Sequence, residues 1–427
     1  MTKRSTYEPI IYAMLILFGG AVGYLWSMMS AGGPVGQQSR IEQITNLLQH
    51  QYVDSLDPDE VEETAIRKYL ATFDPHSVFI PYRYVDLANQ DLKGGFEGIG
   101  IEFFMLGDTP YVVRVIEDGP AFKAGVKPGD RLLVADTTSL IGMDNTDIVQ
   151  HLKGNGGEGV SLQVYRIGFD ERKQFEVIRG SIAQPSVYSF MVDQNTAYFT
   201  ILHFAEPTHT EFTTQLAALK RKGDFNNIIL DLRNNPGGYL KTAIDLLDEF
   251  VDGTDVLAYT RGANAESKTF KATPGGLCSK LKLICLVNEH SASASEIFSG
   301  AIQDLDRGLV MGHQTFGKGL VQETFQLQDK SQVRLTVSRY YIPSGRCIQK
   351  PYDEEGYVTS DSGSMAKGNE YKTKGGRTVV SDGGIQPDIV LESTSGLREH
   401  SAELAVDVLD ELNIKNLVQP DAPWNEW

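Results

Sequence analysis

The stretch "HSASASEIFSGAIQD", His290 to Asp304, sets three serines at alternating positions, adds a glutamate and continues as an apolar pattern of helical period. Ser293-Ala-Ser-Glu296 fits the capping box, in which a serine oxygen and a glutamate side chain satisfy orphan amides at a helix start. A cap alone would account for both residues without any chemistry. Just before it, "LKLICLV" (281–287) reads as a buried strand, so the segment is strand, turn and helix. "NNIILDL" (226–232) followed by "YLKTAIDLLDEF" (239–250) repeats the order, which gives an α/β rhythm from about residue 185.

The remaining regions differ in character. Residues 92–182 carry short β-rich runs, "GIGIEFF", "YVVRVI", "DRLLVA" and "VSLQVYRI", split by Gly and Pro, with one helix expected at "NTDIVQHLK". Residues 40–91 show apolar residues at helical spacing and are expected to form a small helical region. "SAGGPVGQQS" (30–39) is a polar, Gly-rich linker. Ahead of it, Lys3 and Arg4 precede an uncharged stretch, Ile10 to Met29, about long enough to cross a ~30 Å hydrocarbon core. Residues 1–29 are therefore expected to be a single-pass membrane signal anchor with a cytoplasmic stub, which places the bulk of the chain outside the cytoplasm, in the periplasm. Residues 397–427 are expected to form an amphipathic helix and a polar tail.

Composition narrows the chemistry. The chain has 427 residues, 41% hydrophobic and 22% charged, and a net charge of −17 with no basic run, which argues against a nucleic-acid-binding face. Three cysteines, Cys278, Cys285 and Cys347, show no CxxC or paired His spacing, so neither a disulfide framework nor a zinc site is implied. No metal or organic cofactor is expected. "GNGGEG" (154–159) satisfies G-x-G-x-x-G but lies between a helix and a strand, the wrong order for a dinucleotide site. Ser279-Lys-Leu-Lys282 matches S-x-x-K but leads into a strand rather than opening a helix.

A serine nucleophile needs a base. A lysine serves only if its reference pKa of about 10.4 falls by roughly three units, a cost of about 4 kcal/mol that burial in an apolar pocket supplies. "TFGKGLVQ" (315–322) offers Lys318 between two glycines with Phe316, Leu320 and Val321 close by. Ser293, Ile297, Gly300 and Asp304 share one helical stripe, which makes Asp304 a candidate for orienting groups below the serine. Gly237 and Gly238, after Pro236 in "DLRNNPGG" (231–238), and the amide of Ala294 are candidate oxyanion donors.

These three motifs, in this order behind a domain carrying "GIGI", resemble the carboxy-terminal processing protease family, serine-lysine peptidases with an embedded PDZ domain. The resemblance covers roughly residues 40 to 395. It implies a ClpP/crotonase-like α/β protease core over 183–396 with an inserted PDZ domain over 92–182. It also implies a nucleophile at Ser293, a general base at Lys318, a lysine-positioning glutamine at Gln322 and the family aspartate at Asp304. Amides near Gly237 and Ala294 take the oxyanion role, with Gly237 and Gly238 undistinguished. The choice of Ser293 over Ser291 or Ser295 comes from the resemblance. Around Gly98, Ile99, Gly100 and Ile101, loop amides are expected to receive a peptide carboxylate, with the chain terminus bound by strand addition. His313 departs from the family, whose members usually carry Glu there, and His290 is commonly Gly. The reading is a membrane-tethered endopeptidase acting on proteins with accessible carboxyl termini, and a homo-oligomer or an adaptor is compatible with it. A catalytically silent PDZ scaffold and a small-ester hydrolase are the alternatives. Intact Ser293, Lys318 and Gln322 weigh against the first, and a peptide-terminus clamp weighs against the second.

Overall fold

Ser39 ends the polar linker by capping the helix Arg40–Gln51: its amide donates to Glu42 Oε2 (2.8 Å) and its hydroxyl accepts from the Glu42 amide (3.2 Å). The computed structural model describes residues 13–21, 39–169, 171–353, 356–357 and 369–391, in two units that divide between Tyr69 and Leu70. Of the expected anchor, residues 13–21 are described and are helical. Among the described residues no helix is long and apolar enough to cross a membrane. The rest of Ile10 to Met29, most of the linker and the carboxy-terminal helix expected over 397–427 lie outside the described residues.

In the second unit the apolar runs become a six-stranded sheet in the order Val187–Met191, Thr196–Ile201, Asn227–Asp231, Lys282–Val287, Leu309–Gly312 and Ile389–Val390. The first pair is antiparallel and the others are parallel. Every residue of Asn227–Asp231 is buried, which is why that strand reads as an unbroken apolar run rather than an alternation. In open parallel sheets functional groups collect beyond the carboxyl ends of the strands. Asp231 and Leu286 are register partners, so the turns following these two strands, "RNNPGG" and "NEHSAS", leave the sheet side by side.

The helix Ala294–Asp304 is buried along its whole length, not only on the apolar stripe the sequence shows. A second, antiparallel sheet explains this: Gln332–Tyr341 pairs with Leu320–Gln326, with Val256–Arg261 and with Val78–Ile80. A Cβ on Gly300 would stand 2.7 Å from Ile342 Cδ1 and 2.8 Å from Ile385 Cδ1, so glycine permits the close approach on that side. Polar helix residues are satisfied internally, as burial requires: Ser299 Oγ donates to the Ser295 carbonyl (2.8 Å), and Gln303 Nε2 donates to the Gln386 carbonyl (2.8 Å). Val78–Ile80 corrects the expectation of a wholly helical region over 40–91, because three residues are too few to show a period of two.

The β-rich region forms its own sheet, Ile101–Leu106, Thr109–Val115, Arg131–Ala135, Gly159–Tyr165 and Lys173–Ile178, around a core that includes Ile99, Leu132, Ile148 and Leu162. Ile101–Leu106 is an edge strand with one neighbour among the described residues. "GNGGEG" is the turn between the helix Asn145–Leu152 and the strand Gly159–Tyr165, as its sequence order required. A two-stranded ribbon, Gly95–Gly98 with Gly180–Ala183, closes the base of the region.

Phe199, Phe212, Phe250 and Phe298 form a chain of rings, 4.6, 5.6 and 5.5 Å between successive centroids, that ties the helix Ala294–Asp304 to the core. Phe298 is fully buried. Phe298→Ala is expected to lower unfolding free energy by about 3–5 kcal/mol in a chemical denaturation experiment, the usual range for a buried ring.

Candidate active site

The three alternating serines serve different ends. Ser291 and Ser295 are fully buried and their hydroxyls are occupied: Ser291 Oγ donates to the Leu232 carbonyl (2.8 Å) and Ser295 Oγ to the Asn235 carbonyl (3.0 Å). Both pin the serine turn to the neighbouring glycine loop. Ser293 is half-buried and sits at φ 56°, ψ −111°, a left-handed conformation uncommon for a residue with a Cβ. The Glu296 amide donates to the Ser293 carbonyl (2.9 Å), so that donor has a partner without the Ser293 hydroxyl. Geometry thus separates Ser293 from the flanking serines, which the sequence pattern alone could not do.

The glycine loop is held by Asn235, whose Nδ2 donates to the Ile201 carbonyl (2.8 Å) and whose carbonyl accepts from the Ala292 amide (3.0 Å). Asn235 Oδ1 accepts from the Gly237 amide (2.8 Å). Gly237 is therefore not a free donor, which corrects the pairing of Gly237 with Ala294. The amides of Gly238 and Ala294 have no hydrogen-bond partner among the described residues. Gly237 must be glycine: at φ 102°, a Cβ would stand 2.9 Å from both the Ala294 nitrogen and Ser293 Cβ.

Glu296, first seen as a cap residue, joins the serine turn to the lysine loop. Its Oε2 accepts from the Ser293 amide (2.8 Å) and from the Lys318 amide (2.8 Å), while Oε1 accepts from Thr315 Oγ1 (2.6 Å) and the Gly317 amide (2.7 Å). Tyr340 OH closes the same bridge by donating toward the Ser293 (3.1 Å) and Lys318 carbonyls. Burial pushes the Glu296 carboxyl up to about 7, against the pull of those four donors.

Lys318 Nζ donates to Gln322 Oε1 (2.8 Å), and no hydrogen bond joins it to the Ser293 hydroxyl. Burial lowers the pKa of this amine and the nearby Arg334 cation adds to the effect; Asp74 and Glu296 oppose it. A cavity of about 810 Å³ opens beside Gln322, lined by Tyr239, Leu240, Ile244, Phe270 and Val321 among others. Among the described residues no cluster of three or more His, Cys, Asp or Glu is arranged to hold a metal.

Asp304 is not part of this cluster. It lies at the far end of the helix, about 16 Å from Ser293 at 1.5 Å per residue, and its buried carboxylate is 2.8 Å from Arg346 Nη2 and accepts from the Ser344 amide (2.9 Å). A shared stripe says nothing about the distance along the axis. His290 is exposed beside Glu289.

In the β-rich region the Ile99 carbonyl accepts from the Ala121 amide (2.8 Å) and the Gly100 carbonyl from the Ile116 amide (3.0 Å). In a planar trans peptide the following N–H points the opposite way, so the Gly100 and Ile101 amides face away from these partners. Gly98 belongs to the ribbon, paired with Gly180, and Ile99 is buried.

The peptidase family S41 profile matches residues 195–362, and the PDZ domain profile matches residues 98–178. A carboxy-terminal-processing protease of Bartonella bacilliformis is 34% identical over 317 residues, covering 73% of each chain. The chain belongs to the carboxy-terminal processing protease family. Carboxy-terminal processing protease CtpB of Bacillus subtilis is 30% identical over 363 residues, 80% of this chain and 75% of that one. A solved photosystem II D1 C-terminal processing protease is 25% identical with a TM-score of 0.42, covering 83% of this chain and 87% of that one. This family member is thus an α/β peptidase with a PDZ domain.

Both Glu296 oxygens face donors, so a glutamine there must turn its NH2 toward groups that mostly can only donate. Glu296→Gln is expected to lose about 2–4 kcal/mol of stability, at ~1–3 per stranded donor, and most of kcat, read by denaturation and peptide hydrolysis. A carboxyl raised from 4.5 to about 7 binds its proton more tightly in the folded state. Its contribution is complete below the unfolded value and disappears as pH rises through about 7, so this variant should also flatten the fall in stability across that window.

Proposed function

We propose that this protease is a serine endopeptidase that captures protein carboxyl termini on its PDZ domain and cuts nearby with Ser293 and Lys318. One observation carries the reading: a single glutamate oxygen accepts the backbone amides of both residues, so the hydroxyl and the amine are fixed on adjoining turns. Lys318, whose neutral form burial favours, keeps one N–H on Gln322 Oε1 and takes the Ser293 proton on its lone pair; catalytic hydrogen bonds commonly tighten only with substrate bound. The serine oxygen attacks the peptide carbonyl, the Gly238 and Ala294 amides receive the oxyanion, and Lys318 returns the proton to the departing amine as the C–N bond breaks. Water then attacks the acyl-serine by the same route. The strained backbone at Ser293 supports the assignment, since such strain collects at functional sites.

The PDZ part of the proposal rests on the open edge of Ile101–Leu106 and the outward amides of Gly100 and Ile101. A peptide terminus adds as a strand there and its carboxylate meets those amides. Residues 1–29 tether the enzyme to a membrane, with the peptidase outside the cytoplasm; the basic flank and the uncharged run support this.

Ser293→Ala and Lys318→Ala are each expected to reduce cleavage of an unfolded protein by at least a thousandfold with the fold intact by circular dichroism. Near-parental digestion by either variant contradicts the dyad. A peptide with a free carboxylate should bind more tightly than its carboxamide, measured by fluorescence anisotropy on Ser293→Ala protein. In a membrane preparation the full chain should resist alkaline carbonate extraction.

A further inference from the structure

Gln322 has two ends, and only one suits a lysine base. A side-chain amide that turned its NH2 toward Lys318 Nζ would oppose the ammonium and would tie up the lone pair that the neutral amine needs as a base. Its orientation is fixed from a place 246 residues earlier: Gln322 Nε2 donates to the His76 carbonyl (2.6 Å). A carbonyl oxygen can only accept, so His76 selects the NH2 end and leaves Oε1 for the lysine.

The His76 carbonyl is held in turn by Asp74. Asp74 Oδ1 accepts from the His76 amide (2.8 Å), the Ser77 amide (2.8 Å) and Thr336 Oγ1 (3.1 Å), and Oδ2 accepts from Ser77 Oγ (2.6 Å). Thr336 is the cross-strand register partner of Gln322, and its amide donates to Ser77 Oγ (3.2 Å). The contacts close into a ring: Gln322, His76, Asp74, Thr336 and back across the strand pair to Gln322. Asp74 is buried, and no other part of the mechanism uses it.

We infer that the Asp74–Ser77 turn positions the lysine base, setting the polarity of the Gln322 amide through the His76 carbonyl. This rests on the Ser293–Lys318 reading. One N–H of the neutral amine is committed to Gln322 Oε1, which restricts where its lone pair points, and the turn decides that commitment. The charged and titratable groups facing Lys318 are Arg334, Asp74, Glu296 and His76, the last lowered to about pKa 4 chiefly by burial and so neutral at working pH.

The test uses the full-length enzyme and a fluorogenic peptide. Asp74→Ala is expected to lower kcat at least tenfold with KM within threefold. Asp74→Asn keeps an acceptor for the His76 and Ser77 amides and should return kcat to within threefold of the parent. Removing the negative charge that favours the ammonium should also move the acid limb of its kcat/KM profile to lower pH. Thr336→Val, which deletes one contact of the ring, should lower kcat about threefold and carries the test if Asp74→Ala does not fold. Parental kcat in Asp74→Ala, or equal loss in Asp74→Ala and Asp74→Asn with no movement of the limb, overturns the inference. Lys318→Ala in the same series separates the two readings: activity there ends the dyad, whereas inactivity there beside parental Asp74→Ala ends only this proposal.

Discussion

The Glu296 carboxylate is where two halves of the site meet. The serine turn hangs from the parallel sheet, and the lysine loop leads into the antiparallel one, so their spacing needs a joint between sheets. One oxygen holding both the Ser293 and Lys318 amides is that joint, and the other oxygen braces the approach through Thr315 and Gly317. Gly317 permits the tight path: at φ 92°, a Cβ would stand 2.6 Å from the Gly383 carbonyl oxygen. Leaving such an acceptor buried without its donors, or the donors without it, is costly, so local geometry and stability are tied together.

Around that joint the α/β topology does the coarse positioning. Adjacent parallel strands deliver the glycine loop and the serine turn to the same edge, and Ser291, Ser295 and Asn235 fasten one to the other. The fastening leaves Ser293 half-buried in a left-handed backbone and leaves the Gly238 and Ala294 amides without partners among the described residues. The hydroxyls of the two flanking serines are committed to backbone carbonyls, and that of the middle one is the hydroxyl assigned to the proposed chemistry. The second sheet then covers the helix and encloses the lysine, and this burial is what lowers its pKa.

The sequence was most informative where burial imposes continuous or periodic patterns. "IILDL" and "LKLICLV" announced central strands, and the run after Ser293 announced a helix. The capping box located Glu296 but showed only its local half, because the Thr315, Gly317 and Lys318 donors come from a distant loop. Asp304 shares the stripe of Ser293 but lies at the far end of the helix, because a helical stripe fixes direction and not distance, and its partner Arg346 has no local signal. Gly237 and Gly238 could not be told apart until Asn235 Oδ1 was seen to hold the Gly237 amide. The Asp74–Ser77 turn was invisible for a deeper reason: its contribution is a backbone carbonyl, which every residue carries, and its target lies far along the chain.

The account depends on Lys318 being an uncharged amine when the protein works. The direct measurement is the titration of its side chain by NMR, with 13C-labelled lysine in the Ser293→Ala protein and Lys318→Arg used to assign the signal. The account predicts that Lys318 titrates well below the ~10.4 of an ordinary lysine, apart from the other lysine signals. A Lys318 signal that titrates together with the surface lysines would contradict it.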